Sequence, residues 1–202
     1  MDLSVVIQAG GESHRMGRNK ALAPFLGRPL IARVVERLSS IAAEIIVTTN
    51  QAEEFAFLGL PCYPDLLPGL GALGGLYTAL SVARLPCAAV VACDLPFANP
   101  DLLAFAHRQV LAGGYDGMVP RHAQGLEPLH AVYRREPCLP WIRRALVEGR
   151  LRVDAWFDRA QIKILDVEEY AALDPSGLAF FNANTPQELA RAEELAREQD
   201  QA

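Results

Sequence analysis

The sequence predicts an α/β fold, a doubly wound and mostly parallel sheet flanked by helices, on three observations. Short β-branched apolar runs alternate with amphipathic helical stretches in a β-α-β-α-β rhythm. One run, residues 88–92, is apolar at every position, as expected of a strand covered on both faces in the middle of a parallel sheet. The first run ends in Gly10-Gly11, so a buried strand leads straight into a glycine-rich loop. Sheets of this kind bind ligands beyond the carboxyl ends of their strands, which places any chemistry just after Ala9, Thr48 and Cys93.

The elements follow in order. Val5-Val6-Ile7 is the first strand. A helix begins after Pro29, where Leu30, Val34 and Leu38, joined by Ile31 and Val35, form one stripe, and Arg33, Glu36 and Arg37 occupy the other face. Residues 45–48 form a second strand, residues 51–58 a helical stretch, and a short extended piece reaches Asp65. The glycine-rich residues 68–75 read as a loop before a helix over residues 76–83, followed by the strand at 88–92. Asn99-Pro100-Asp101 supplies a helix start, with Asn as N-cap and Pro at the first helical position. Residues 117–120 and 129–133 read as strands around a loop centred on Gln124-Gly125, a small antiparallel excursion. Helices over 139–148 and 153–158 precede a strand at 162–165. The last helix starts at a capping box, with Thr185 as N-cap, Pro186 at N1 and Glu188 at N3. No repeat, low-complexity segment or linker divides the chain, so residues 1–202 are expected to form one domain.

Composition narrows the partners. The chain has 202 residues, 51% hydrophobic and 21% charged, with a net charge of −5. That balance disfavours an extended contact with a phosphate backbone, which needs clustered Lys and Arg, so nucleic acid is not expected as a partner. No apolar stretch is long enough to span a bilayer, so no membrane is expected either. The first residues show neither the basic segment nor the small-residue cleavage site of a secretory signal, and a cytoplasmic address is the expectation. Cys62, Cys87, Cys93 and Cys138 form no C-x-x-C pair and the histidines no H-x-x-x-H spacing, which argues against structural zinc. Cys87 and Cys93 flank a strand and would sit roughly 20 Å apart, so the thiols read as buried and unpaired.

The loop after the first strand runs from Gln8 to Lys20 through Ala9, Gly10, Gly11, Arg15 and Gly17. Glycine lets backbone N–H groups approach anionic oxygens, and Arg15 and Lys20 can add charge, so the segment suits a polyphosphate. It lacks the spacing of a Walker loop and of the dinucleotide fingerprint. Asp94 leaves the buried run at residues 88–92 and is a candidate ligand for Mg2+, which takes only one or two protein oxygens. Its other reading, as a cap for the next helix, is weakened by the better cap at Asn99. Asp65 is followed by Gly69, Gly71, Gly74 and Gly75, either a flexible turn or a loop that lets the backbone approach a nucleobase or ribose. Asn182 and Asn184 precede the last helix, as turn formers or as two amides displayed on one side of an extended segment.

Together these pieces resemble the MobA-like nucleotidyltransferases over nearly the whole chain. The resemblance rests on Ala9-Gly10-Gly11 with Arg15-Met16-Gly17 and Lys20, Gly71-Ala72-Leu73-Gly74-Gly75, Cys93-Asp94-Leu95-Pro96-Phe97 and Asn182-Ala183-Asn184-Thr185-Pro186, in that order. It implies a Rossmann-like nucleotidyltransferase fold and a Mg2+-dependent transfer, with the paired Gly10-Gly11 resembling the guanylyl-transferring branch. In that reading GTP is the donor and molybdopterin the acceptor. Gln8, Ala9, Gly10, Gly11, Thr48, Asp65, Gly71 and Gly75 would line the nucleotide site. Lys20 would contact phosphate, Arg15 and Lys20 would offset charge on the departing pyrophosphate, Asp94 would hold Mg2+, and Asn182 and Asn184 would lie near the pterin or metal. A transient handover of product to molybdoenzymes or their chaperones is also implied. Three positions depart from the family's usual pattern: Gln8 stands where Leu is common, Ala72 where Pro often stands, and Glu127 replaces the usual Gln before Pro128-Leu129. Thr48 occupies a place that is Asn in some members. Rival readings are a CTP-dependent or other small-molecule nucleotidyltransferase of the same fold, and a nucleotide-binding module without turnover.

Overall fold

The computed structural model of the protein describes residues 2–10 and 19–199. Among them an eight-stranded sheet forms the centre. Its strands are β1 (Ser4–Gln8), β4 (Glu44–Thr48), β5 (Cys62–Tyr63), β6 (Cys87–Ala92), β7 (Gly117–His122), β8 (Gly125–Leu126), β9 (His130–Arg134) and β10 (Ile162–Leu165). A separate hairpin pairs β2 (Pro24–Phe25) with β3 (Arg28–Pro29). The helices are α1 (Leu30–Leu38), α2 (Gly71–Val82), α3 (Pro100–Gly113), α4 (Arg135–Val147), α5 (Val167–Tyr170) and α6 (Pro186–Gln199).

The strand order is β10-β7-β9-β6-β1-β4-β5, with β8 paired to β7. All neighbours are parallel except where β9 enters between β7 and β6 and where β8 pairs with β7. The antiparallel excursion expected around Gln124-Gly125 is therefore a return strand in the main sheet, and β8 only extends the hairpin tip. β1 lies in the middle, with Gln8 level with Thr48 on one side and Ala92 on the other. The carboxyl ends of β1, β4 and β6 thus finish in line and open on one crevice.

Side chains alternate across the strands and build two cores. Val5 and Ile7 pack with α1 and α3, while Val6, Ala88 and Val90 pack with α2 and α4. A third cluster, with Phe25, Leu30, Phe97 and Ala192, ties α6 to the β2–β3 hairpin. No helix among the described residues is long and apolar enough to cross a membrane.

Three elements differ from the sequence reading. The helix expected from residue 76 begins at Gly71, so most of the expected glycine loop is helical. Glycine disfavours a helix by about 1 kcal/mol, but here packing overrides that preference. A Cβ on Gly74 would come 2.9 Å from Leu70 Cβ, and one on Gly75 would come 3.1 Å from Gln8 Oε1. Residues 153–156 form turns rather than an α-helix, and only Phe157–Arg159 form a short 3-10 turn. Phe157 N donates to the Asp154 carbonyl, and the Val153 carbonyl instead accepts the indole N–H of the fully buried Trp156. The helix expected from residue 139 starts at Arg135, because Pro137 falls in its first turn, where no N–H is needed. Of the four thiols, Cys87 and Cys138 are buried, whereas Cys62 and Cys93 are half-buried, and none is paired.

Candidate active site

A cleft of about 1570 Å³ lies beyond the carboxyl ends of the central strands. Gln8, Ala9, Gly10, Lys20, Asp65, Gly71 and Gly75 all line it. Gly11 and Arg15 lie outside the described residues. Thr48 does not line the cleft. Its side chain is buried at 1% exposure, and its carbonyl accepts the Ala9 N–H that carries the chain out of β1. Thr49 and Asn50 line the cleft in its place.

Asn50 is the residue that the sequence reading missed. Its Oδ1 accepts from Asp65 N at 2.9 Å and its Nδ2 donates to Asp65 Oδ2 at 3.1 Å, so a two-point lock joins the ends of β4 and β5. Gly10 lies against the same carboxylate: a Cβ there would sit 3.5 Å from Asp65 Oδ2. Behind Asp65, Leu66 N donates to Thr78 Oγ1, which itself donates to the Gly74 carbonyl, fastening the loop to α2. This end of the cleft presents an amide, a carboxylate and bare glycine backbone, groups that can read the polar edges of a base or the hydroxyls of a sugar.

The other end carries charge. Lys20 Nζ donates to Asn184 Oδ1 at 2.6 Å across 164 residues of sequence. Asn184 is held by the start of α6: Asn184 N and Thr185 N both donate to Glu188 Oε2, and Glu188 N donates to Thr185 Oγ1. The predicted capping box is present and positions the partner of a cation. Next to it, Asp94 follows β6, and its carbonyl accepts from Ala183 N at 2.9 Å. Burial pushes the Asp94 carboxyl above the usual carboxylate range; the Lys20 charge opposes this and Glu188 adds to it. The loop after Asp94 is braced from α1, where Arg33 Nε donates to the Pro96 carbonyl and Arg37 Nε to the Ala98 carbonyl. Asn99 caps α3 through Leu102 N, which leaves Asp94 free of that duty. Asn182 turns its Nδ2 back onto the Phe180 carbonyl, so the two amides of this segment have different partners.

Two further side chains stand near Asp94. Glu127 Oε1 lies 2.6 Å from His122 Nε2, both side chains being largely shielded, and the His122 ring lies 5.1 Å from that of Phe180. Burial raises the Glu127 carboxyl, His122 opposes this, and the Asp94 charge raises it further.

Asp94 offers a hard oxygen ligand. The neighbouring Cys93 thiol is pushed up to about 12 by burial, with Asp94 adding to it, and so stays protonated rather than competing as a soft ligand. No group of three His, Cys, Asp or Glu among the described residues could hold a metal by itself. A lone carboxylate is the kind of donor that Mg2+ takes, with water and phosphate oxygens completing its shell.

The sequence profile of the MobA-like NTP transferase domain matches residues 5–161. The chain belongs to this family. A probable molybdenum cofactor guanylyltransferase of Pelotomaculum thermopropionicum is 39% identical over 191 residues, which is 95% of this chain and 92% of that protein. The molybdenum cofactor guanylyltransferase of Desulfosudis oleivorans is 33% identical, over 93% of each chain. Among solved structures, molybdopterin-guanine dinucleotide biosynthesis protein A from Archaeoglobus fulgidus superimposes with a TM-score of 0.84 at 28% identity, covering 96% of this chain and 99% of that one. In this member of the MobA-like family, the profile ends before the Asn182–Asn184 segment and α6, which bring Asn184 to Lys20.

Proposed function

We propose that this chain transfers GMP from GTP to the terminal phosphate of molybdopterin, forming the guanine dinucleotide cofactor and releasing pyrophosphate. The observation that carries the reading is the arrangement of the cleft. Lys20 lines one end of the cleft, with the Asp94 carboxylate outside the lining residues but close enough to feel its charge, and the Asn50–Asp65 lock stands at the other. The relatives' names supply the identity of donor and acceptor.

An acceptor phosphate oxygen is already ionised at neutral pH, so the reaction needs positioning and charge neutralisation more than a general base. The oxygen attacks the α-phosphorus in line, and the bond from that phosphorus to the oxygen bridging the α- and β-phosphates breaks. Lys20 offsets the charge that develops on the departing pyrophosphate, and Arg15 shares that role. Gly10, Gly71 and Asp65, with Asn50, hold the nucleoside. Asn182 and Asn184 lie on the acceptor side. Asp94 would hold Mg2+, which when bound supplies neutralising charge at the reacting phosphates. In this reading residues 1–202 work as one unit in the cytoplasm, with no nucleic acid or membrane partner, and the product passes to a molybdoenzyme or its chaperone.

Calorimetric titration with GTP, CTP and ATP, with and without Mg2+, tests the donor, and pyrophosphate release with molybdopterin tests the transfer. Mg2+-sensitive binding of GTP followed by pyrophosphate release is the expected result. Preference for CTP would overturn the donor, and absence of release with a bound nucleotide would overturn the transfer.

A further inference from the structure

β6 and β9 run antiparallel in the register that sets Cys87 against Arg134 and Val91 against His130. The Ala92 N–H donates to the Leu129 carbonyl, so the pairing continues one step beyond the last of these pairs. Carried on, the same register brings Asp94, just past the end of β6, level with Glu127, just before the start of β9. The Glu127 backbone is fixed there, its N–H on the Pro120 carbonyl and its carbonyl on the His130 N–H. Its side chain is held by His122 through Oε1, and Oε2 has no partner among the described residues.

Like charges on adjacent strands repel, and here both carboxylates are shielded from the water that would screen them. Lys20 offsets Asp94 from its own side, where its Nζ is engaged by Asn184. His122 needs no charge on its partner: the side-chain carbonyl of a Gln would accept the same ring N–H. Closing the β7–β8 hairpin therefore does not account for a carboxylate level with Asp94. A cation beside the two accounts for it.

We infer that Glu127, positioned by His122, is a second anionic contributor to the divalent-cation site of Asp94. Both carboxylates are hard oxygen donors, the class that Mg2+ takes one or two at a time. His122 keeps the Glu127 carboxylate turned, as the partners of metal-site carboxylates commonly do. The inference rests on the reading that Asp94 holds the ion, and it adds the residue that shares the ion's charge.

The test is the affinity for Mn2+ in the absence of nucleotide, read from the electron paramagnetic resonance of the free ion, on the unaltered protein, Glu127→Gln and Glu127→Asp. Glu127→Gln removes the charge and keeps the shape and the acceptor for His122, and it is expected to weaken Mn2+ binding about tenfold. Glu127→Asp keeps the charge and is expected to recover most of that loss. Metal-free affinity for GTP should be the same in Glu127→Gln as in the unaltered protein. Equal Mn2+ affinity in the unaltered protein and Glu127→Gln overturns the inference, as does an equal loss in both variants or a matching fall in metal-free GTP affinity. If the variants do not fold, the unaltered protein decides by nuclear magnetic resonance. Substoichiometric Mn2+ should broaden the ring signals of His122 and spare those of His107, which lies near Asp2 before the amino end of β1. A His122 signal that stays sharp overturns the inference. Failure of the unaltered protein to bind Mn2+ at all removes the Asp94 reading itself, a result visible before any variant is made.

Discussion

At the Asp65 end of the cleft, polar side chains are fixed by hydrogen bonds to each other and to the backbone: Asn50 grips Asp65 at two points, and Thr78 ties the following loop to α2. At the Lys20 end the groups are charged and come from distant parts of the chain, with Asn184 on Lys20 and Ala183 on the Asp94 carbonyl. The first end is rigid before any ligand arrives and suits recognition. The second holds a carboxylate that burial disfavours, so it gains when positive charge enters beside it. Substitutions at the two ends should therefore separate, the first acting on affinity and the second on turnover.

The largest effect is expected at the charged end. Asp94→Ala should lower turnover by roughly 100-fold or more, about 2.7 kcal/mol of barrier, with a much smaller change in GTP affinity. Near-normal turnover would remove Asp94 from the mechanism. Next comes a site belonging to neither end. His130 is wholly buried, its Nε2 accepts from Asn99 N, and burial holds its pKa down from 6.5 to about 4. The folded protein keeps this ring neutral while the unfolded chain protonates it. Its contribution to stability is thus complete above pH 6.5 and is lost as the pH falls through about 4. His130→Phe should cost about 1–3 kcal/mol at pH 7.5 by orphaning Asn99 N. The gap in thermal midpoint should narrow steadily toward pH 4, and a gap that stays constant with pH would contradict the assignment.

Asn50→Ala should sharpen the comparison at the recognition end by raising the dissociation constant for GTP about tenfold, or 1.4 kcal/mol. The rate at saturating nucleotide should change little; a fall in that rate alone would place Asn50 with the charged groups. The smallest effect is expected at Thr185→Ala, where loss of the cap costs about 1 kcal/mol of stability. Turnover should fall modestly because Asn184 is less firmly held, and saturating nucleotide should not restore it.

Much of the frame is legible in the sequence because it depends on local pattern. The strand at residues 88–92 is apolar on both faces because β1 and β9 flank it and helices cover it. The Thr185–Glu188 box needs only a spacing of three. The start of α2 is not legible, since local propensity argues against a helix at Gly71, Gly74 and Gly75. The tight approach of Gly74 to Leu70 and Leu67 and of Gly75 to Gln8 explains those two, and Gly71 takes a φ of 60° at the start of the helix. The region just after Thr48 is marked by topology as a place for chemistry, yet Asn50 itself reads as an ordinary residue before a helix. Its place in the cleft comes from Asp65, fifteen residues on. The His122–Glu127 pair is hidden in the same way, because it forms only when the β7–β8 hairpin folds back.

The hydrogen bond between Lys20 and Asn184 also makes the charged end of the cleft depend on the last helix, since Asn184 is itself held by Glu188 of α6. Limited proteolysis that trims only that helix should therefore lower turnover far more than it changes the central sheet.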